Sequence, residues 1–226
     1  MPSHTSAIKV NQARVYGARV LRARGPRSAA TVAAQIAAQE DGVVYASQLW
    51  HPAFVLGVQT LAFELWEQSP LPDAIVVPLG AGTLLLGIER GFQNLHRSGL
   101  IPRMPRFIGV QVVNCAPIAA RFGWRPTGAI SDRSIAEGIQ VADPPRASQI
   151  VQAIERSGGT AIAVEDEAVR ERTYALAREG VLVEPTAAVA VAGLALAREQ
   201  NLLTPDEQVV AVLTGSGLKT IGEPTS

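Results

Sequence analysis

The stretch "DAIVVPLGAGTLLLGIERGFQNLHRSG", residues 73–99, passes from an apolar run of strand length into Gly80, Ala81 and Gly82, meets a hydroxyl at Thr83, and continues as an amphipathic segment. Leu84, Leu85, Ile88, Phe92 and Leu95 recur at helical spacing, and the next apolar run, "PRFIGVQVV" at 105–113, is again of strand length. Strand, helix and strand at this separation form a βαβ unit, whose crossover makes the two strands parallel neighbours. A strand that is apolar at nearly every position is buried on both faces. The fold class that follows is α/β: a three-layer, open, mostly parallel sheet with helices on both faces.

Working outward, "SAIKVNQARVYG" at 6–17 reads as a helix capped by Gly17, and "ARVLRA" at 18–23 as a short strand. An alanine-rich helix is expected over 26–41, and a brief strand or extended link at "GVVYAS", 42–47. Pro52 sits in the first turn of a helix that should run to about Gln68. Beyond Pro117 the pattern loosens through the Gly/Pro-rich span 121–146, which contains Trp124. Helix, strand and helix return at 147–159, 160–166 and 165–180, and residues 186–201 form a helix whose first half is almost all Ala, Val and Gly. Such small residues all round imply close packing on every side. "QVVAVLTGSGLK", 208–219, should be a last buried strand ending in a hydroxyl and glycine loop. Two domains are expected: 1–40 as the trailing part of a small α/β domain, and 41–226 as a large one.

Twenty basic and twenty acidic residues cancel, and no Lys/Arg run provides the footprint that a nucleic-acid backbone requires. No apolar run approaches a membrane span, and the N-terminus lacks an apolar signal core. The chain reads as soluble and cytoplasmic, with neither nucleic acid nor membrane as a partner. Cys115 stands alone, and His4, His51 and His96 have no metal-ligand spacing with it or with carboxylates, so no metal site is expected.

Three loops follow expected strands: "PLGAGT" at 78–83, "VEPTAA" at 183–188 and "LTGSG" at 213–217. Ligands of open parallel sheets bind beyond the carboxyl ends of the strands, so the three can converge on one ligand. The first has the physics of an anion cradle, with glycines before a helix N-terminus whose amides attract phosphate. It is also what a tight strand-to-helix connection looks like. A dinucleotide fingerprint fits poorly, because Leu85 stands where the third glycine belongs, and a P-loop is excluded by the absence of Gly-Lys-Ser/Thr.

In order, "YGARV", "HPAFVLGVQTLAFELWEQ", "PDAIVVPLGAGTLLLGIERGF", "GVQVVNCAPI", "SIAEGI", "REGVLVEPTAAVAVAGL" and "VVAVLTGSGLK" resemble the C-terminal two thirds of threonine synthases, within the fold type II pyridoxal phosphate enzymes. The resemblance runs from about Lys9 to Lys219. It implies pyridoxal 5'-phosphate as cofactor, with Gly80, Ala81, Gly82, Thr83 and Leu84 around its phosphate and Thr214 facing its ring nitrogen. It further implies that Ala136, Glu137 and Gly138 line the cofactor face, and that Glu184 occupies a Glu-Pro turn at a helix start, where its plain reading is an exposed cap acid. The reaction implied is conversion of O-phosphohomoserine to threonine and phosphate. A dehydratase acting on threonine or serine is a close variant, and a non-catalytic binder of a phosphorylated ligand is the alternative from another class.

The departures concern lysine. The chain has two, Lys9 and Lys219, and neither lies in a segment resembling the family's Schiff-base motif. The expectation is a truncated chain that holds the cofactor's bed without its covalent anchor, not catalytically competent alone. Its partners would be an amino-acid substrate and either a homo-oligomer or a partner that supplies the N-terminal segment. His51, where the family more often has Asn, reads as a helix-entry residue.

Overall fold

The computed structural model describes residues 1–3, 5, 7–25, 27–126 and 133–219. Part of the irregular span expected at 121–146, residues 127–132, lies outside these, as does His4. The chain divides into two compact units, Met1–Ser47 and Gln48–Ser226.

The first unit holds helices α1 (Ala7–Val15) and α2 (Arg27–Ala37). Gly17 follows α1 with φ +79°, the left-handed conformation expected of a helix-ending glycine. The strand expected at 18–23 does not form. Its place is taken by an extended segment with one parallel bridge, Pro2 to Ala23, flanked by bonds from Ser3 N to Ala23 O (2.9 Å) and from Ala23 N to Met1 O (2.8 Å). Among the described residues, the alternation of Ala and Arg with Val and Leu there meets no second strand that would complete a ladder.

In the second unit follow α3 (Pro52–Val58), α4 (Thr60–Gln68), β1 (Ala74–Pro78), α5 (Thr83–Arg97), β2 (Arg106–Val112), α6 (Ala147–Arg156), β3 (Thr160–Val164), α7 (Asp166–Arg178), α8 (Pro185–Glu199) and β4 (Val209–Ala211). The helix expected from Pro52 to Gln68 is two, interrupted at Gln59. α5 presses there: a Cβ on Gly91 would stand 2.5 Å from the Gln59 carbonyl oxygen. His51 caps α3, its Nδ1 accepting from the Ala53 amide at 3.3 Å.

The sheet is parallel throughout, in the order β3-β2-β1-β4, with Val76 in register with Ile108 on one side and Ala211 on the other. Period-two alternation divides its side chains between two cores. Ile75, Val77, Phe107, Ala161 and Ala163 join Leu85, Ile88, Phe92, Ile150 and Ile154 of α5 and α6. Ala74, Val76, Ile108, Val110, Ile162 and Val164 join Ala187, Ala188, Val189 and Ala190 of α8. β1 is buried at every residue. β4 is shorter than expected, three residues long and half-buried, because its outer edge has no neighbouring strand among the described residues.

α8 lies against all four strands, and its small residues set the separation. A Cβ on Gly193 would stand 2.3 Å from Val110 Cγ2. At the opposite end of the strands, Arg106 of β2 pairs with Glu207 and donates to Leu202 O at 3.2 Å, while Asp73 accepts from the Gln208 amide at 2.8 Å. The Glu207 carboxyl lies below its ordinary value, chiefly because it accepts from the Thr204 amide at 2.7 Å and then because of Arg106, with partial opposition from desolvation. No helix among the described residues is long and apolar enough to cross a membrane.

Two outcomes follow. Gly193→Ala should lower the unfolding free energy in urea by about 1–3 kcal/mol, the cost of overpacking a closed interface; a change inside about 0.5 kcal/mol would mean α8 is free to move away. A carboxyl depressed in the folded state contributes stability above its unfolded value, and loses it as pH falls through the folded value. Glu207→Gln should therefore narrow the stability gap between neutral pH and conditions below about pH 4.3, as read from thermal midpoints.

Candidate cofactor site

The loop from β1 to α5 turns through Gly80, Ala81 and Gly82. Gly82 has φ +80° and precedes the first residue of α5. The space a Cβ would take is already filled: at Gly82 by Ile150 Cδ1, 2.3 Å away, and at Gly80 by the Ile139 Cα at 3.1 Å. Gly82 is thus required by the protein's own packing, and at Gly80 the fit is tight. What the loop offers a ligand is its amides. Among the described residues those of Ala81, Gly82, Thr83, Leu84 and Leu85 have no hydrogen-bond partner, the helical ladder beginning with Leu86 N to Gly82 O at 2.9 Å. Unpaired amides at a helix N-terminus are the donors that an anion satisfies. The Thr83 hydroxyl is already engaged, donating to Gln48 O at 2.9 Å and accepting from Arg146 Nη1 at 3.4 Å.

The other predicted loops lie in a contiguous row beside this one. Ile139, under Gly80, ends the segment that carries Ala136, Glu137 and Gly138. Ala136 is fully buried in the α8-side core, while Glu137 and Gly138 are exposed. The Gly138 amide donates to Thr186 Oγ1 at 3.3 Å, in the first turn of α8. Glu184 is the residue before that helix, half-buried, and its side chain makes no cap bond. It lies instead where a Cβ on Gly215 would be, with Oε1 2.1 Å from that point, and its amide donates to Gly215 O at 3.1 Å. A bridge between Val183 and Ser216 ties the two loops, and Thr214 stands exposed next to this junction. All the predicted residues therefore occupy one end of the sheet, in the order Gly80–Leu84, Ala136–Gly138, Glu184, Thr214.

Three polar side chains that hold this arrangement are absent from the sequence reading. Asp166, first residue of α7, accepts from Ser134 Oγ at 2.5 Å and from the Ile135 amide at 3.2 Å, while Ser134 Oγ accepts from the Ala136 amide at 3.0 Å. Gln111, fully buried in β2, donates to Leu79 O at 3.2 Å and accepts from the Ile118 and Ala119 amides at 2.8 and 3.0 Å. It fixes the residue from which the glycine turn starts, and its one signal is an amide interrupting "FIGVQVV". Arg146 spans Thr83, Gln48 and Trp50.

A cleft of about 870 Å³ lies elsewhere, along the free edge of β3 beside Trp124, Asp166 and Leu196, and includes none of the predicted site residues. Burial raises the pKa of the Cys115 thiol above its ordinary value. Among the described residues no group of three or more His, Cys, Asp or Glu is placed to hold a metal ion.

Residues 1–215 match the family described as pyridoxal-phosphate dependent enzyme. The chain belongs to that family. It is 34% identical over 217 residues to the threonine synthase of Methanocaldococcus jannaschii, covering 93% of this chain and 53% of that protein. With the threonine synthase of Mycobacterium tuberculosis the identity is 29% over 213 residues, covering 93% and 58%. The chain thus spans about half the length of the curated relatives it matches. Among solved structures, the processed form of threonine deaminase isoform 2 from Solanum lycopersicum superposes with a TM-score of 0.76 at 22% identity, over 96% of this chain and 61% of that one. Maize serine racemase superposes with a TM-score of 0.75 at 21% identity, over 93% and 64%. These likenesses establish the fold, that of the fold type II pyridoxal phosphate enzymes, and membership of the family implies pyridoxal phosphate as cofactor.

The geometry fits that group. A run of unpaired amides at the positive end of a fifteen-residue helix suits a phosphate.

Gly82→Ala should cost about 1–3 kcal/mol in urea unfolding, since it combines a disfavoured φ with a steric conflict. Adding Ile150→Ala should remove the conflict and leave the φ term, so the double variant should stay less stable than Ile150→Ala alone. Equal stability of those two would show that the turn relaxes freely.

Proposed function

We propose that this chain forms the cofactor-holding part of a threonine synthase-like lyase, acting on O-phosphohomoserine. The observation that carries the reading is the convergence of the glycine loop, the 134–139 segment, the Glu-Pro turn and the Thr214 loop at one end of the sheet, joined by the Gly80–Ile139, Gly138–Thr186 and Glu184–Gly215 contacts. The similarity to threonine synthases along nearly the whole chain supports the substrate class.

Pyridoxal phosphate, when bound, supplies an electron sink for a carbanion at the substrate's α-carbon. In this proposal the chain's own residues do the following. The amides of Gly80 to Leu84 bind the phosphate and fix the ring's distance from the sheet. Glu137 and Gly138 form the wall against one face, with Ala136 buried behind them and the segment held by Ser134 and Asp166. Thr214 presents a neutral hydroxyl to the ring nitrogen. Unlike a carboxylate it does not hold a proton there, which favours elimination and replacement over transamination. Glu184, beside Gly215, orients that loop.

Covalent capture of the cofactor and removal of the α-proton require an amine beside it. None of the four loops contains a lysine. The proposal therefore assigns this amine to a segment outside these 226 residues, brought to the cradle by the remainder of a longer chain, a partner or a homo-oligomer.

The purified chain should bind pyridoxal phosphate reversibly, as followed by its absorbance and fluorescence, and borohydride should leave no covalent adduct on Lys9 or Lys219. Phosphate release from O-phosphohomoserine should be absent for the chain alone and appear when the complementary segment is supplied. Turnover by the chain alone would show that one of its own groups serves as the base. Conversion of threonine or serine to an oxoacid by the completed enzyme, with no phosphate release, would select the dehydratase variant.

A further inference from the structure

Arg146 precedes the first residue of α6 and reaches across to the glycine turn. Its Nη1 lies 3.4 Å from both Thr83 Oγ1 and Gln48 O, and its Nη2 donates to Trp50 O at 3.0 Å. It is half-buried, and no carboxylate among the described residues pairs with it. A guanidinium remains charged at any accessible pH, and carbonyl and hydroxyl oxygens solvate it without neutralising it.

The surroundings add to this charge. Arg146 stands at the N-terminus of α6, where a helix favours an anion and a cation is unfavourable. The N-terminus of α5 opens at Thr83, and the first turn of α6 packs under it through Ile150. Neither first turn contains an acidic residue. Two positive helix ends and a permanent cation therefore meet at the turn whose amides, Ala81 to Leu85, have no partner in the described structure.

We infer that Arg146 is the positioning residue that supplies the counter-charge for a phosphate monoester in this cradle and makes it select the phosphorylated cofactor over the unphosphorylated one, an inference that rests on the cofactor reading above. It acts through Thr83. By occupying that hydroxyl's acceptor side while Gln48 O takes its proton, Arg146 locks the first residue of α5 and leaves the amides, with the field of the guanidinium behind them, to receive the dianion. Loss of the charge then weakens phosphate binding, while the ring's contacts with the other loops are kept.

The test uses the full 226-residue chain with three probes: inorganic phosphate followed by 31P line broadening, and pyridoxal phosphate and pyridoxal followed by fluorescence. Wild type should bind phosphate in competition with pyridoxal phosphate. In Arg146→Gln the affinity for both phosphate-bearing probes should fall by about tenfold or more, as for loss of a charged hydrogen-bonding group, with pyridoxal unchanged. Arg146→Lys should keep the preference for pyridoxal phosphate over pyridoxal. The inference is overturned if Arg146→Gln binds pyridoxal phosphate within about twofold of wild type, or loses both aldehydes in equal proportion, as a purely structural strut would. If Arg146→Gln does not fold, Arg146→Lys decides, and loss of the preference there overturns it. Wild type that binds neither phosphate nor pyridoxal phosphate removes both this inference and the cofactor reading. Arg146-dependent phosphate binding without pyridoxal phosphate binding sustains the residue's role and removes the cofactor reading alone. If the Arg146 dependence appears only when O-phospho-L-serine is added to the chain saturated with pyridoxal phosphate, the charge serves a substrate phosphate and the assignment to the cradle fails.

Discussion

The turn at Gly82, held at φ +80° against Ile150, is the constraint on which the rest of this structure depends. β1 is buried on both faces, so the chain has to leave the sheet within a few residues and start α5 at an angle that returns it over the core. A left-handed residue there aims α5 so that Leu85, Ile88 and Phe92 pack into the core shared with β1 and β2. Ile150 fills the space beneath the turn, so α6 sets the same geometry from the other side. A side chain at position 82 would have to displace that helix. The packing requirement and the run of unpaired amides are two consequences of one backbone conformation.

The position of the remaining loops follows from the sheet. Parallel strands all end on the same side, and the close approach of α8, with Gly193 against Val110, brings the Glu-Pro turn to that side as well. From there the contacts are local: Thr186 to Gly138, Glu184 to Gly215, Ile139 to Gly80. Polar anchors behind them, the buried Gln111 and Ser134 with the half-buried Asp166, replace water for backbone groups that no regular ladder satisfies. These anchors tie the loop cluster to the folded core.

Much of this was legible because it depends on short-range pattern. The runs at 74–79 and 106–113, and the helical spacing between them, specified the βαβ unit and the parallel sheet; Gly17, Pro52 and the small residues of 186–197 marked helix ends and close contacts. The interruption at Gln59 was not legible, since its cause is the backbone of another helix seated on Gly91. Nor was the reduction of 18–23 to a single bridge at Ala23, since no strand among the described residues runs beside the segment. In the site, the loops were found because hydroxyls and glycines after strands form a recognisable pattern. Asp166, Gln111 and Arg146 act across 32, 32 and 63 residues to reach Ser134, Leu79 and Thr83, distances at which one sequence has no periodicity to show. Gly80 and Gly82 also have a packing role that the pattern did not show, since they admit Ile139 and Ile150.

The central claim is that the backbone amides at the start of α5 receive the cofactor's phosphate. Titration of 15N-labelled chain with pyridoxal phosphate, followed by amide chemical shifts, addresses it directly. The predicted result is saturable shifts that are largest at Ala81, Gly82, Thr83, Leu84 and Leu85, with smaller ones at Gly138 and Thr214. Shifts centred on the cleft beside β3 and Trp124, with the amides of 81–85 unmoved at saturation, would contradict it.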